Sequence, residues 1–135
     1  MEVLQGDIYW VRARDLDIEG SEQKNNRPYV IVSRLRINRL GKNVVGVPLS
    51  TKLHKACGHR VMIPLQMMVK DLSWPLEWAP GQPRTQLETS VALTDHVRVL
   101  DKDRLTQPRM GYLSSTAIVG LELALHYVFE SPQNP

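Results

Sequence analysis

Apolar residues in this chain come in short runs, and only the last run has helical spacing. Ile8-Tyr9-Trp10-Val11, Tyr29-Val30-Ile31-Val32, Val44-Val45-Gly46-Val47-Pro48-Leu49, Val61-Met62-Ile63 and Ser90-Val91-Ala92-Leu93 are rich in β-branched or aromatic residues and bounded by turn-forming ones. That pattern predicts strands. Near the end, Ile118, Leu121, Leu125 and Val128 recur at helical intervals beside Ala117 and Ala124. A helix over 114–130 is predicted, with Ser114 or Ser115 as N-cap and Pro132 as its stop. Many short strands closed by one helix predict a mainly β fold, a small β-barrel with a C-terminal helix.

The finer reading follows from the punctuation. Tyr29 to Arg36 reads as one buried strand. Asn38 to Asn43 reads as a turn that returns Val44–Leu49 as a hairpin partner. Pro48 suits an edge or a bulge, because it cannot donate to a ladder. His96 to Leu100 reads as a strand, and Asp101 to Leu105 as a single helical turn. Residues 66–87 hold Trp74, Pro75, Trp78, Pro80, Gly81 and Pro83, and read as a loop insertion. Gly120, unfavourable inside a helix, is expected at a close packing contact. At 135 residues the chain is read as one domain, 1–135.

Composition excludes several classes. One cysteine, Cys57, leaves no intrachain disulfide framework, which fits a reducing cytoplasmic setting. The first residues lack the basic and apolar regions of a signal peptide. No run approaches the ~20 apolar residues that span a bilayer. The net charge of +3 is unevenly spread. Arg34, Arg36, Arg39, Lys42, Lys52, Lys55 and Arg60 fall in a window without an acid, whereas acids outnumber bases from Val61 onward. This predicts a basic face for a polyanion.

Three residue types that could cut a phosphodiester stand near predicted strand ends. Arg27 keeps its proton and can clamp two phosphate oxygens, which suits the charge of a phosphorane. Glu22 could take a proton from a ribose 2′-hydroxyl if burial raised its pKa. Thr51 can donate a hydroxyl hydrogen bond to a non-bridging oxygen. Taken singly, each also has a structural reading: a strand-starting Arg-Pro, a loop carboxylate and a strand-end cap. Lys52, Lys55, His59 and Arg60 are expected to contact the RNA backbone or bases, and Trp74 and Trp78 to stack on unpaired bases or cover a barrel end. His54, Cys57 and His59 crowd one turn, but they lack the two-pair spacing of structural zinc; no metal and no cofactor is expected. Asp15, Asp17 and Glu19 are expected to form an acidic flap.

The run Gly20-Ser21-Glu22-Gln23, then Arg27-Pro28 before an apolar strand and Ser50-Thr51-Lys52 after the next, resembles the MazF/PemK/Kid family of toxin–antitoxin ribonucleases. Gly6-Asp7-Ile8-Tyr9-Trp10-Val11, Asp95-His96-Val97-Arg98 and Asp101-Lys102-Asp103-Arg104-Leu105 extend the resemblance over about 6–65 and 88–129. It implies an SH3-like barrel, a homodimer, cleavage of single-stranded RNA and an antitoxin partner. It implies catalytic roles for Arg27 and Thr51, with Ser21 and Glu22 around the same pocket; Gln23 is expected to bind substrate with Ser21. Some members carry an arginine two residues before the aspartate matched by Asp95; here that residue is Leu93, which puts the chain on the Arg/Thr branch. Two rival readings are a gyrase-poisoning toxin of the same barrel and an RNA-binding regulator that leaves the strand intact.

Overall fold

The computed structural model describes residues 2–12, 26–75 and 86–130. Eight strands form one antiparallel sheet: β1 (Asp7–Val11), β2 (Arg27–Ile31), β3 (Asn43–Ser50), β4 (Val61–Ile63), β5 (Met68–Lys70), β6 (Ser90–Ala92), β7 (Arg98–Asp101) and β8 (Leu105–Leu113). The order is β4-β6-β3-β2-β1-β8-β5, with β7 beside β3. The outermost strands of that path, β4 and β5, are joined only by Pro64 and a 3₁₀ turn at Leu65–Met67. One short piece of chain therefore supplies both edges, so the sheet curls into a nearly closed barrel. Helix α2 (Ser115–Glu130) packs against it.

The curl explains why the strands read as continuous apolar runs. Ile8 and Trp10 of β1 and Val30 of β2 point into one core, with Val47, Leu49, Met110 and Leu121. Their neighbours Tyr9, Val11, Tyr29 and Ile31 enter a second core with Val3, Val44 and Leu100. Both faces of the central strands are buried, so the polar-out alternation of a half-exposed sheet is missing.

Several details depart from the expected elements. The strand begun at Arg27 stops at Ile31, and a short helix α1 (Leu35–Arg39) replaces the end of the expected strand and the first two residues of the expected turn. Ser33 and Asn38 redirect the chain there. The Ser33 hydroxyl takes the Val45 N–H at 2.9 Å and donates to Asn38, while the buried Asn38 amide donates to the Val3 carbonyl at 2.8 Å. Pro48 lies on a central strand instead of an edge. β3 pairs with β7 over Asn43–Gly46 and with β6 from Leu49, and Pro48 sits in the break between those ladders. His96 ends a 3₁₀ turn, Thr94–His96, instead of opening a strand; the Thr94 hydroxyl is spent on the His59 carbonyl at 2.8 Å. The helical turn near 101–105 is a 3₁₀ turn at Lys102–Arg104.

The insertion is shorter than the sequence suggests. Met68–Lys70 pair with β8, and Trp74 and Leu87 fill the core; residues 76–85, with Trp78, lie outside the described residues. Ser114 is the N-cap of α2, accepting from Ala117 N at 3.2 Å. Gly120 meets no neighbour within 4 Å of where a Cβ would stand, so the expected packing contact is absent.

Candidate active site

β2 and β3 run antiparallel with Tyr29 opposite Pro48. Carrying that register two residues further sets Arg27 level with Ser50, the last residue of β3, and brings Thr51 to the same end of the sheet. The cleft there holds about 190 Å³. Its apolar lining comes from Trp10, Pro28, Leu49 and Leu87, and its polar lining includes Arg27, Thr51, Lys52, Gln86 and Glu88. Arg27 is half-buried, with Nε and Nη1 shielded from water. Thr51 and Lys52 are exposed at the rim.

The local sequence accounts for this arrangement. Pro28 follows Arg27 and restricts it to extended backbone, which starts β2 without a turn of helix. Ser50 closes β3, and its hydroxyl accepts the Lys52 N–H at 3.2 Å, turning the chain so that Thr51 is left facing the cleft rim. Opposite, the segment before β6 is pinned at three points. Gln86 donates to the Pro75 carbonyl at 2.8 Å, Ser90 donates to the Glu88 carbonyl at 2.8 Å, and Thr89 accepts from Leu65 N at 3.0 Å. A guanidinium, an ammonium and a hydroxyl around one cleft form an anion grip, and the charged donors make the stronger hydrogen bonds.

Not every expected site residue arrives here. Glu22, Ser21 and Gln23 lie outside the described residues, as do Asp15, Asp17 and Glu19. His59 and Arg60 line a different cavity, with Cys57, Thr94, Asp95 and Val128. The Arg60 fork grips Asp95, Nε to Oδ1 at 2.8 Å and Nη2 to Oδ2 at 2.9 Å, and this hydrogen bonding holds the Asp95 carboxyl below its usual range. His59 stacks on Tyr127, ring centroids 5.3 Å apart. Lys55 sits in the 3₁₀ turn Leu53–Lys55, away from the cleft lining. Trp74 is 1% exposed, so it offers no face to an incoming base; it packs among Trp10, Met110 and Leu87 in the core.

Part of the expected basic face is paired. Arg34 pairs with Glu122 and Arg39 with Glu2, acids brought from the chain ends. With Arg60 held by Asp95, three of the seven cations in the acid-free window have acid partners, and the cations lining the cleft are Arg27 and Lys52. Gln86 and Glu88 were not legible as site residues. Their only signal is their place just before a strand, and which strand end that is depends on the β3–β6 pairing.

Residues 4–129 match the model of PemK-like, MazF-like toxins of type II toxin–antitoxin systems. The chain belongs to this family. It is 27% identical over 131 residues to the endoribonuclease MazF of Staphylococcus saprophyticus, covering 92% of this chain and 93% of that one. Solved structures share the fold. MazF of Deinococcus radiodurans superposes with a TM-score of 0.67 at 17% identity, covering 96% of this chain and 97% of that one. An endoribonuclease from a mycobacterial species gives 0.64 at 22%, covering 99% and 97%. A mycobacterial endoribonuclease in complex with its cognate antitoxin gives 0.56 at 21%, covering 98% of each chain. The SH3-like MazF barrel expected from the sequence is therefore the fold found.

Proposed function

We propose that this MazF/PemK-family toxin is an endoribonuclease that cuts single-stranded RNA at the Arg27–Thr51 cleft and is held in check by a cognate antitoxin. The observation that carries the reading is the meeting of Arg27, Thr51 and Lys52 around one cleft at a strand-end where the family match runs unbroken. A gyrase-binding surface has no need of such a grip.

The chemistry needs no external nucleophile. The ribose 2′-oxygen attacks the adjacent phosphorus as its proton passes to a base, for which Glu22 is the candidate. The P–O5′ bond then breaks and the 5′-oxygen takes up a proton. The products are a 2′,3′-cyclic phosphate and a 5′-hydroxyl. Arg27 opposes the charge gathering on the non-bridging oxygens, and Thr51 donates to one of them. Proton transfer and charge stabilisation each contribute about 10²-fold or more. Lys52 meets a neighbouring phosphate, which positions the strand without reading it. Ser21 and Gln23 are assigned to the same pocket beside Glu22, and the RNA encountered is cytoplasmic.

The pairing of copies has its own support. Val119, Leu123 and Tyr127 form an exposed apolar stripe along α2, four residues apart, and we assign it to a homodimer contact. The test of activity is incubation with several unrelated single-stranded transcripts in EDTA beside an Arg27→Ala protein. Discrete fragments ending in cyclic phosphate, absent with the variant, are expected. Intact RNA throughout, or equal cutting by the variant, would overturn the reading.

A further inference from the structure

Glu88 is the feature of the cleft that an RNA-cutting grip does not explain. It is exposed, and it lines the same cleft as Arg27, Thr51 and Lys52. A carboxylate beside a phosphate site repels the phosphate, and at a few ångströms that repulsion is not negligible even in water. It is not there to hold the cations: Glu88 enters none of the ion pairs formed among the described residues. The chain that carries it is held in place, by Gln86 to the Pro75 carbonyl before it, by its own carbonyl to Ser90, and by Thr89 to Leu65 after it.

The surroundings indicate what it meets. The cleft lining is more apolar than polar, with Trp10, Pro28, Leu49 and Leu87 beside the charged groups. Phosphate does not suit the apolar part, and a nucleobase does, since every base has an apolar π-face. An ionised carboxylate only accepts hydrogen bonds, so it can pair only with base edges that donate. Exocyclic amines of cytosine, adenine and guanine donate. Guanine presents a ring N–H and an amine side by side, matching both carboxylate oxygens. Uracil faces the carboxylate with carbonyl oxygens flanking its single N–H.

From this we infer that Glu88 is a specificity-determining residue: it reads the edge of a base seated in this cleft, and selects bases with an exocyclic amine, guanine foremost, against uracil. The inference rests on the ribonuclease reading above. It assigns the cleft two neighbouring functions, phosphate held by Arg27, Thr51 and Lys52 and base identity read by Glu88.

The experiment maps cut sites on a randomised single-stranded RNA pool for wild type, Glu88→Gln and Glu88→Ala. Glu88→Gln keeps the shape, removes the charge and adds a donor. In wild type, one position near the cut is expected to favour amine-bearing bases over uracil by about tenfold, the discrimination of one good edge contact. Glu88→Gln shifts that position toward uracil, Glu88→Ala flattens it, and the other positions keep their preferences. On the best wild-type RNA the loss falls mainly on KM. An unchanged preference profile in both variants, or a loss spread evenly over all positions, would overturn the inference while leaving the ribonuclease standing. Wild-type protein that cuts no RNA overturns both.

Discussion

Arg109 Nη1 lies 2.7 Å from Oδ1 of Asp7, a carboxylate 2% exposed, and Arg109 Nε lies 2.9 Å from Oδ2 of Asp71. One guanidinium thus ties the start of β1 to the segment after β5. It reaches both from an irregularity in β8, where the pairing with β1 jumps from Ile8–Gly111 to Trp10–Thr106. Its face lies over the Tyr112 ring, 4.6 Å from the centroid. Arg109→Ala leaves Asp7 with only the Leu4 N–H, at 2.9 Å, to offset its burial. Such a change costs about 3 kcal/mol. Urea unfolding should show the midpoint falling with little change in slope.

The same network sets the pH limits of the fold. Hydrogen bonds from Ser73, then from Arg109, pull the Asp71 pKa from 3.8 down to about 2. Its contribution is therefore present above the unfolded value and fades as pH drops from about 4 toward 2. Burial, then the nearby Asp7 charge, pushes Tyr9 up to about 12 from 10.0. That contribution is present below pH 10 and fades as pH rises toward 12. Thermal unfolding followed across pH should show a plateau with losses at both ends. Asp71→Asn should flatten the acid limb; an identical acid limb in that variant would contradict the assignment.

Two glycines give opposite outcomes for one substitution. At Gly111 a Cβ would run into the Val69 carbonyl and approach the Leu87 side chain to 2.8 Å, where β5 crosses β8. Backbone cannot yield there as a flexible side chain can, so Gly111→Ala should destabilise by several times RT and deplete soluble protein. At Gly120 the space is open and the residue is in the middle of α2. Gly120→Ala should stabilise by about 1 kcal/mol, the helix propensity difference. Calorimetry on the two variants tests both signs.

The barrel was readable from the sequence because short β-branched runs and one amphipathic helix are local signals. The helix over 114–130 and the strand at 44–49 needed no tertiary information. Where the reading strayed, a distant partner decided the matter. Arg34–Arg36 looked like more strand, but Ser33 and Asn38 bind Val45 and Val3, and these contacts bend the chain into α1. Trp74 looked like a stacking platform among prolines, yet it is core, since β5 and β8 bring its segment over Trp10. Arg27 and Thr51 were legible as a pair through the family resemblance. Glu88 was not, because only the barrel's closure sets it across from them.

The exposed stripe on α2 predicts an oligomeric state. Leu123 is 58% exposed, between Val119 and Tyr127 on the same face. A charge there should not disturb the barrel, because the buried face of α2 is carried by Ala117, Leu121 and Ala124. Light scattering should give a dimer for the wild type and a monomer of unchanged thermal stability at low concentration for Leu123→Asp. A wild-type monomer at micromolar concentration would remove the assignment.

Thr51 separates chemistry from folding more cleanly than Arg27. Its side chain is exposed at the rim of the cleft, so its replacement should not move the unfolding midpoint. Thr51→Val keeps the shape and removes the hydroxyl; Thr51→Ser keeps the hydroxyl and removes a methyl. If the hydroxyl donates to the phosphorane oxygen, Val should lower kcat by about 10²-fold, the effect of losing one such donor. Ser should recover most of that loss. A bond formed only as charge develops leaves KM nearly unchanged, so the defect should be in kcat. Single-turnover cleavage of one defined RNA by the three proteins would show it. Equal rates for Val and wild type would mean that Thr51 shapes the rim of the cleft without touching the reacting phosphate.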